Sequence, residues 1–481
     1  MLILLLILVP FIGGLASFLF GEKMAYAWSV FTSLLTLAIA GTAYYFYSQA
    51  THTTDLSFDC PWIESIGATF SLSMSDSLSV LMIGLTGLLF PCVFISMQNK
   101  QPERKHVFYG LMLLAQAGLM GVFLAKDALL FYLFWEVALI PVYFLSSMYG
   151  GPNRIPVTFK FFVYTFVGSL VMLVALLIIY NHTPVHSFSW DAFVSAGKSL
   201  PEADQSWLFW MLFIAFAIKM PVFPFHTWQP DAYEQSATPV TVVLSAIMVK
   251  MGLFAVVRWL LPIIPLGSIH WMNVVLLLCI IGVVYASCMA MVQTNIKRLI
   301  AYSSIAHIGL MCAAIFSYSN NLLGVQGAYI QMFNHGINIM GLWILVSIVE
   351  NRLGTQDLRE MGGIAKIAPR FTIALVLISL ANIALPLTNG FVGEFMMLNG
   401  LFNSISTYRM VFTIVAGLGV ILSAVYTLGM IQKVAYGELN EKTASMKDLT
   451  MNEWIILLVI MGIILFLGFY PNALMLLVDT P

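Results

Sequence analysis

Charged residues are scarce in this chain: only 9% of its 481 residues are Asp, Glu, Lys or Arg, whereas 60% are hydrophobic. Soluble domains carry roughly a quarter charged residues, so a chain this apolar could not cover a soluble surface. Its apolar runs are long and continuous and do not alternate, which excludes a β-barrel. The composition therefore predicts an all-α polytopic membrane protein, with the lipid bilayer as its surroundings.

Motifs for nucleotides, metals and nucleic acid are also lacking. The five cysteines form no C-x-x-C pair and no metal-ligand spacing, and neither G-x-G-x-x-G nor a phosphate loop occurs. A net charge of -1 gives no basic surface for nucleic acid. No nucleophile, base and oxyanion constellation supports hydrolysis. We expect no cofactor, no metal and no nucleic acid to bind this chain.

Fourteen apolar segments are long enough to cross a bilayer, at about 20 residues per crossing. They are approximately 1–20, 25–47, 75–97, 106–125, 128–149, 157–180, 207–229, 240–261, 272–292, 297–318, 324–350, 371–403, 410–436 and 453–478. Proline interrupts the seventh segment at Pro221 and Pro224, and the twelfth at Pro386. Two broken helices five spans apart indicate two inverted five-helix repeats.

These segments divide the chain into four parts. We expect N-terminal helices 1–3 over residues 1–105 and a first repeat, helices 4–8, over residues 106–261. We expect a second, inverted repeat, helices 9–13, over residues 272–436, and helix 14 over residues 453–481.

Basic residues are distributed unevenly between the two ends of these spans. With both termini outside, the inner loops collect 15 of the 21 Lys and Arg residues. They are Lys23, Lys100, Arg104, Lys105, Arg154, Lys160, Lys297, Arg298, Arg352, Arg359, Lys366, Arg370, Lys433, Lys442 and Lys447. The outer side receives four, namely Lys126, Lys198, Arg258 and Arg409. The positive-inside rule then predicts a bacterial inner (plasma) membrane protein with both termini on the periplasmic side.

Two lysines remain inside the membrane spans. Lys219 directly precedes the seventh-span prolines, and Lys250 lies in the middle of the eighth span. A lone ammonium at membrane depth is costly and marks a functional site by default. The alternative for Lys250 is snorkelling of its ammonium to the interface, but it lies about 15 Å deep, which is too far.

Two acids lie equally deep, Glu136 in FWEVALIPVYFL and Glu394 in NGFVGEF. The structural alternative for each is a neutral carboxylic acid that is hydrogen-bonded in the core. The functional interpretation pairs Glu136 with Lys219, because an opposite charge nearby would keep the lysine protonated. Separating the pair would release that proton, so the two could act as a switch.

Two histidines complete the set, His307 in AYSSIAHIGL and His335 in FNHGINIMG. Histidine titrates near neutrality and can relay protons. The alternative is a structural histidine that bonds to backbone carbonyl groups. Together the six residues, Glu136, Lys219, Lys250, His307, His335 and Glu394, predict a lateral proton path through the middle of the bundle.

These residues lie in motifs that resemble a known family. FWEVALIPVYFL, AIKMPVFPFHTWQPDA, NIKRLIAYSSIAHIGLM, FNHGINIMGLW and NGFVGEF are similar to the antiporter-like subunits of proton-pumping NADH:quinone oxidoreductase, respiratory complex I. The likeness extends from the fourth span to the twelfth. Glu394 points to the M (chain 4) type, because the sister subunits usually have lysine there.

The resemblance implies fourteen core helices, broken seventh and twelfth helices, and the six site residues in proton translocation. It implies sister antiporter-like subunits and other membrane-arm subunits as partners. NADH, FMN, iron–sulfur clusters and quinone are expected in partner subunits, so this chain would belong to a translocase without performing redox chemistry itself.

Three alternatives stay open at this point. One is a chain of a multisubunit sodium/proton antiporter, against which Glu394 argues. Another is a subunit of a related hydrogenase or plastoquinone-linked complex. The third is a structural segment whose buried charges only fix the helix packing.

Overall fold

The structure, a computed structural model, describes residues 1–49, 56–98, 102–318 and 322–478. Lys100, which contributed to the predicted orientation, lies outside the described residues. Within the described ranges, twelve helices are long and apolar enough to cross a membrane. They are α1 (Leu2–Leu19), α2 (Glu22–Ser48), α3 (Ser77–Ser96), α4 (Lys105–Leu124), α5 (Ala128–Tyr149), α6 (Arg154–Asn181), α8 (Thr238–Ile263), α9 (Pro265–Met291), α10 (Ile296–Ile315), α11 (Leu323–Leu353), α13 (Arg409–Ala435) and α14 (Met451–Phe469).

The two remaining spans are the broken ones. Helix α7 consists of Glu202–Lys219 and Gln229–Gln235, and α12 consists of Pro369–Asn382 and Asn389–Phe402. With them the described part of the bundle has fourteen spans, so the predicted fold class is confirmed.

Short polar side chains begin several of the helices. Asp76 accepts a hydrogen bond from the Ser79 amide at the start of α3. Asp127 does the same for two amides at the start of α5, and Asn295 for two at the start of α10. Such caps satisfy amide groups that the first helical turn leaves without partners, so the helix starts are fixed locally by sequence.

The break in α7 follows from its prolines, which cannot continue the helical hydrogen bonds. The carbonyl oxygen of Ile218, left near the end of the first piece, accepts a hydrogen bond from the Trp228 indole at 2.9 Å. At the α12 break, Asn338 of α11 donates to the Ala381 carbonyl at 3.1 Å. Both breaks therefore lie against protein groups that satisfy the freed backbone.

Helix α8 contains a departure that the sequence pattern did not predict. Two π-helical segments, Leu244–Met248 and Val256–Leu260, flank the α-helical turn Lys250–Ala255. Such wide turns occur mostly as single-turn bulges and often at functional sites.

Three further elements were missed or bounded differently. Residues Ser57–Ile63 (β1) and Ala68–Ser73 (β2) pair as an antiparallel hairpin in the loop after α2. A short helix, Trp190–Ser199, precedes α7. The predicted span 453–478 is too long, because α14 ends at Phe469 and a separate helix, Asn472–Val478, follows Pro471.

Three helices form the interior of the bundle. In α8, α10 and α11, 94%, 94% and 89% of the most apolar window is buried within the protein. The corresponding values for α6 and α13 are 39% and 33%, so those helices lie at the periphery. Any polar residue in the middle of α8, α10 or α11 is therefore enclosed by protein.

Ion pairs gather at the two ends of the bundle. One end, which we call the basic end, holds Arg298 against Asp231 and Glu234, and Lys297 against Glu350. The opposite end holds Arg258 against Asp76 and Lys126 against Asp191. The basic end is the one to which the sequence assigned most of the Lys and Arg residues.

Candidate functional site

Each of the six predicted residues projects from a different helix. Five of them are nearly inaccessible, with exposed fractions of 2% for Lys219, 0% for Lys250, 4% for His307, 1% for His335 and 5% for Glu394. Glu136 of α5 is half-buried. Buried ionisable groups are expensive without partners, so the contacts of these side chains decide what they can do.

Glu136 and Lys219 form what we call the pair. They are close enough to interact electrostatically, and both are described by the structure, but no ion pair forms between them. The Ser169 side chain lies beside the Glu136 carboxyl group. The Lys219 ammonium lies over the Trp135 ring at 5.5 Å and makes no hydrogen bond to the described part of the protein. The pair is therefore coupled through space and not through contact.

Lys250 has two direct contacts. Its Nζ donates to the Ser245 carbonyl oxygen at 3.0 Å and lies 3.0 Å from Nδ1 of His335. Two positive charges at this distance would repel strongly, so the arrangement suits one proton shared between lysine and histidine. The snorkelling alternative is excluded, because the Lys250 side chain is fully enclosed.

The two histidines continue from Lys250 toward Glu394. The rings of His335 and His307 have centroids 5.5 Å apart. Nδ1 of His307 lies 3.6 Å from Oε1 of Glu394, which is an ion-pair distance when the histidine is protonated. Neither ring uses its Nε2 atom in a hydrogen bond to the described residues. In each histidine, Nδ1 thus faces another titratable side chain, and Nε2 makes no hydrogen bond to the described residues.

Lys250, His335, His307 and Glu394 form what we call the row. Its order in space differs from the order in the sequence, since His335 lies between Lys250 and His307. The engaged nitrogen of each histidine faces a titratable side chain and not a backbone carbonyl, which was the structural alternative. The structure brings these four residues close to one another in succession, and the first piece of α7, which carries Lys219, packs against the Lys250–Ala255 turn of α8.

Amide side chains of α11 have a different role. Asn334 donates to the Asn389 carbonyl at 2.6 Å, and Asn338 donates to the Ala381 carbonyl. These bonds fasten α11 to both pieces of α12. They are structural contacts, and they fix the distance between the His335 helix and the Glu394 helix.

Three groups that lie close to the six site residues were not predicted from the sequence. Trp135 adjoins Glu136 in the sequence, so its position beside the pair could have been suspected. The Ser245 carbonyl depends on the wide turn of α8, for which no sequence signal stood out. Tyr426 of α13 donates to Ser303 at 2.9 Å near the second acid, and only tertiary packing brings it there.

Metal ligands do not gather in the described part of the chain. Among residues 1–49, 56–98, 102–318 and 322–478, no group of three or more His, Cys, Asp or Glu side chains could hold a metal ion. The five cysteines are free thiols. The side chains of the pair and the row are proton donors and acceptors.

A fourteen-helix membrane bundle with two broken helices and an enclosed row of titratable side chains defines the class of antiporter-like ion-translocating membrane proteins. Residues 125–423 match the family described as NADH:quinone oxidoreductase/Mrp antiporter, transmembrane. The chain belongs to this family.

Curated relatives extend the match over nearly the whole chain. NADH-quinone oxidoreductase subunit M of Escherichia coli K12 is 36% identical, over 98% of this chain and 94% of that protein. The protein of the same name from Rickettsia typhi is 35% identical, over 93% of this chain and 88% of that protein. The predicted resemblance to the M type is confirmed.

Solved structures share the fold. A chain of respiratory complex I from Thermus thermophilus with bound NADH superposes with a TM-score of 0.89 at 28% identity, covering 100% of this chain and 98% of that one. A chain of an archaeal membrane-bound sulfane sulfur reductase superposes with a TM-score of 0.88 at 20% identity, covering 99% of this chain and 77% of that one. The second likeness concerns the fold alone.

Proposed function

We propose that the chain is the proton-translocating M-type subunit in the membrane arm of an NADH-quinone oxidoreductase, and that the pair and the row carry its protons. The first part of this statement was predicted from sequence motifs and agrees with relatives that are about 35% identical over most of the chain. The roles of individual residues are our assignment. The observation that supports it is the succession of close approaches from Lys250 to Glu394, in which the two histidine rings have centroids 5.5 Å apart.

The row can pass a proton because each histidine has two nitrogen atoms. A proton leaving Lys250 reaches Nδ1 of His335, and the free Nε2 of that ring releases another. His307 accepts at its own free Nε2 and releases from Nδ1 toward Glu394. A water molecule between the two Nε2 atoms would complete the path. Each ring returns to its starting state after a change of tautomer.

The pair can act as a switch on this row. When Glu136 is ionised and near, it favours protonated Lys219, and when its charge moves away or is neutralised, that lysine is favoured to lose its proton. Lysine suits this role because its proton affinity responds readily to its surroundings, unlike that of arginine. Electron transfer in partner subunits would supply the change that drives the switch.

The proposal includes an orientation and a division of labour. The basic end faces the cytoplasm and both termini face the periplasm, according to the uneven distribution of Lys and Arg. NADH, FMN, iron–sulfur clusters and quinone bind to other subunits. The partners are the neighbouring membrane-arm subunits, including the sister antiporter-like chains, and the division into residues 1–105, 106–261, 272–436 and 453–481 stays part of the proposal.

The test is the proton-to-electron ratio of the assembled complex in sealed vesicles. Lys250→Met should lower the ratio while the complex still assembles and passes electrons to a quinone analogue. Lys219→Ala should also reduce pumping and leave slow electron transfer. Lys433→Met, which removes an exposed lysine at the end of α13, is the control and should leave the ratio unchanged. An unchanged ratio in Lys250→Met would reject the proposed role.

A sodium/proton antiporter is the second candidate, because the family that matches this chain also includes Mrp antiporters. Proton-flux measurements in the same vesicles, with and without sodium and NADH, distinguish the two functions. A proton flux that needs sodium and runs without electron transfer would favour the antiporter. Pumping that persists in sodium-free buffer and stops without NADH favours the oxidoreductase subunit.

A further inference from the structure

A stripe of hydroxyl groups on α8 leads from the basic end toward Lys250. Thr238, Thr241 and Ser245 follow one another at spacings of three and four residues, so they share one face of the helix. All three are buried. Thr238 lies twelve residues before Lys250, which corresponds to about 18 Å along the helix axis.

The wide turn of α8 joins this stripe to the row. In a regular α-helix, residues 245 and 250 would lie about 140° apart around the axis. The π segment Leu244–Met248 adds backbone to that turn, and Lys250 Nζ reaches the Ser245 carbonyl at 3.0 Å. Ser245 Oγ also accepts a hydrogen bond from the Trp343 indole at 3.0 Å. The distortion thus places Lys250 at the inner end of the stripe.

Tyr233 and Gln229, on the second piece of α7, face this stripe. Both are fully buried. The Tyr233 hydroxyl lies toward the side chains of Gln229 and Ser245, yet neither it nor the Gln229 amide makes a hydrogen bond of good geometry to the described residues. Buried polar atoms nearly always have a partner, so two neighbouring side chains without one indicate hydrated space.

The outer end of the stripe opens into a cavity of about 670 Å³ at the basic end. Thr238 and Glu350 line it, and Thr238 Oγ1 donates to the Glu350 carboxylate. Exposed Lys447 and Thr450 belong to the same lining, so the cavity reaches the surface. A solvent-accessible space therefore ends where the buried hydroxyl groups begin.

We infer that protons move between this cavity and Lys250 along Thr238, Thr241 and Ser245, and that the Tyr233 hydroxyl carries them across the stretch beside Ser245. The inference rests on the proposed function, because it supplies the row with protons. The Tyr233 hydroxyl gives its proton to an oxygen atom on the Lys250 side, where Ser245 lies. At the same time it accepts a proton from a water molecule on the cavity side. The side chain is unchanged afterwards, and no net charge stays on it.

Tyr233→Phe tests this step, because it removes one oxygen atom and leaves the ring. That hydroxyl makes no hydrogen bond of good geometry to the described residues, so its loss should destabilise the fold little. The matched control is Tyr109→Phe in α4, since Tyr109 is equally buried and its hydroxyl equally lacks such a partner. Thr241→Val is a second variant, which removes another hydroxyl group of the stripe at nearly constant shape.

The measurement is again the proton-to-electron ratio of the assembled complex, with Lys250→Met as the reference for a silent subunit. Tyr233→Phe should lower the ratio most of the way to that reference, and Thr241→Val part of the way. In D₂O, the remaining pumping of Tyr233→Phe should slow more than that of wild type, which a packing defect would not cause. Tyr109→Phe should match wild type.

The possible outcomes separate the inference from the proposed function. A wild-type ratio in both Tyr233→Phe and Thr241→Val, with a lowered ratio in Lys250→Met, would overturn the intake path and leave the row standing. An equal fall in Tyr109→Phe and Tyr233→Phe would also overturn it. A wild-type proton-to-electron ratio in Lys250→Met would contradict the proposed function itself.

Discussion

The pair and the row handle buried charge in different ways. Glu136 and Lys219 interact through space, with an aromatic ring at 5.5 Å from the ammonium and no ion pair between them. In the row, Lys250 lies 3.0 Å from His335, the two histidine ring centroids lie 5.5 Å apart, and His307 lies at an ion-pair distance of 3.6 Å from Glu394. Electrostatic attraction falls gradually with distance, whereas proton transfer needs a hydrogen bond, either direct or through one water molecule. We therefore propose that the pair senses a charge and that the row moves a proton.

The largest effect should follow from breaking the row at its centre. His335→Ala removes the group that contacts Lys250 and the ring that faces His307. We expect pumping by this subunit to be lost while the complex assembles. His182→Ala, at an exposed histidine after α6, is the control. A normal proton-to-electron ratio in His335→Ala would mean that the contacts of the row have no function.

Shortening each acid by one methylene group compares the two regions directly. Glu394→Asp withdraws the carboxylate from His307, and a displacement of about 1 Å can slow a contact-dependent step up to 100-fold. Glu136→Asp should cost much less, roughly threefold or below, because a through-space interaction changes little over that distance. Pumping rates of both variants in vesicles test this difference. Equal losses, or a larger loss in Glu136→Asp, would contradict it.

A smaller effect should follow from moving the row's helices apart. A Cβ atom on Gly327 of α11 would lie 2.6 Å from Cβ of Met396 and 2.9 Å from the backbone nitrogen of Met397, both on α12. Gly327→Ala should therefore push α12 from α11 and cost about 1–3 kcal/mol. The midpoint of thermal inactivation and the pumping rate should both fall. Gly429→Ala, where nothing lies within 4 Å, is the control, and equal midpoints would refute the tight contact.

The smallest effect should follow from replacing Trp135, whose ring lies beside the Lys219 ammonium. Trp135→Leu removes the cation–π contact of Lys219, a type of contact worth about 0.5–2 kcal/mol depending on how far it is desolvated. We expect a change of a few-fold in pumping rate, with the row intact. Trp207→Leu, at an exposed tryptophan of α7, should have no effect. If Trp135→Leu abolished pumping, the ring would have more than an electrostatic role.

Much of this fold could be predicted because membrane spans leave a direct trace in the sequence. Apolar runs indicated the helices, and Pro221, Pro224 and Pro386 indicated the two breaks. Titratable side chains deep in the spans indicated all six candidate residues, since such residues are rare without a function. The order of the row could not be predicted, because only packing puts His335, and not His307, beside Lys250.

The wide turn of α8 and the polar groups beside it could not be predicted from the sequence either. A π segment has no characteristic residue pattern, so Leu244–Met248 reads like any buried helix. Tyr233 is an ordinary aromatic residue until the structure shows that it is enclosed without a hydrogen-bond partner among the described residues. Local rules fix helices and caps, whereas the contacts of buried polar side chains depend on the whole bundle.

The most direct test of the row is a double variant. If Lys250, His335, His307 and Glu394 act as one path, breaking it twice should do no more harm than breaking it once. The proton-to-electron ratio of Lys250→Met with Glu394→Gln should therefore equal the lower of the two single-variant ratios. A double variant in which the two losses add would show that these residues work independently, and would contradict a single path.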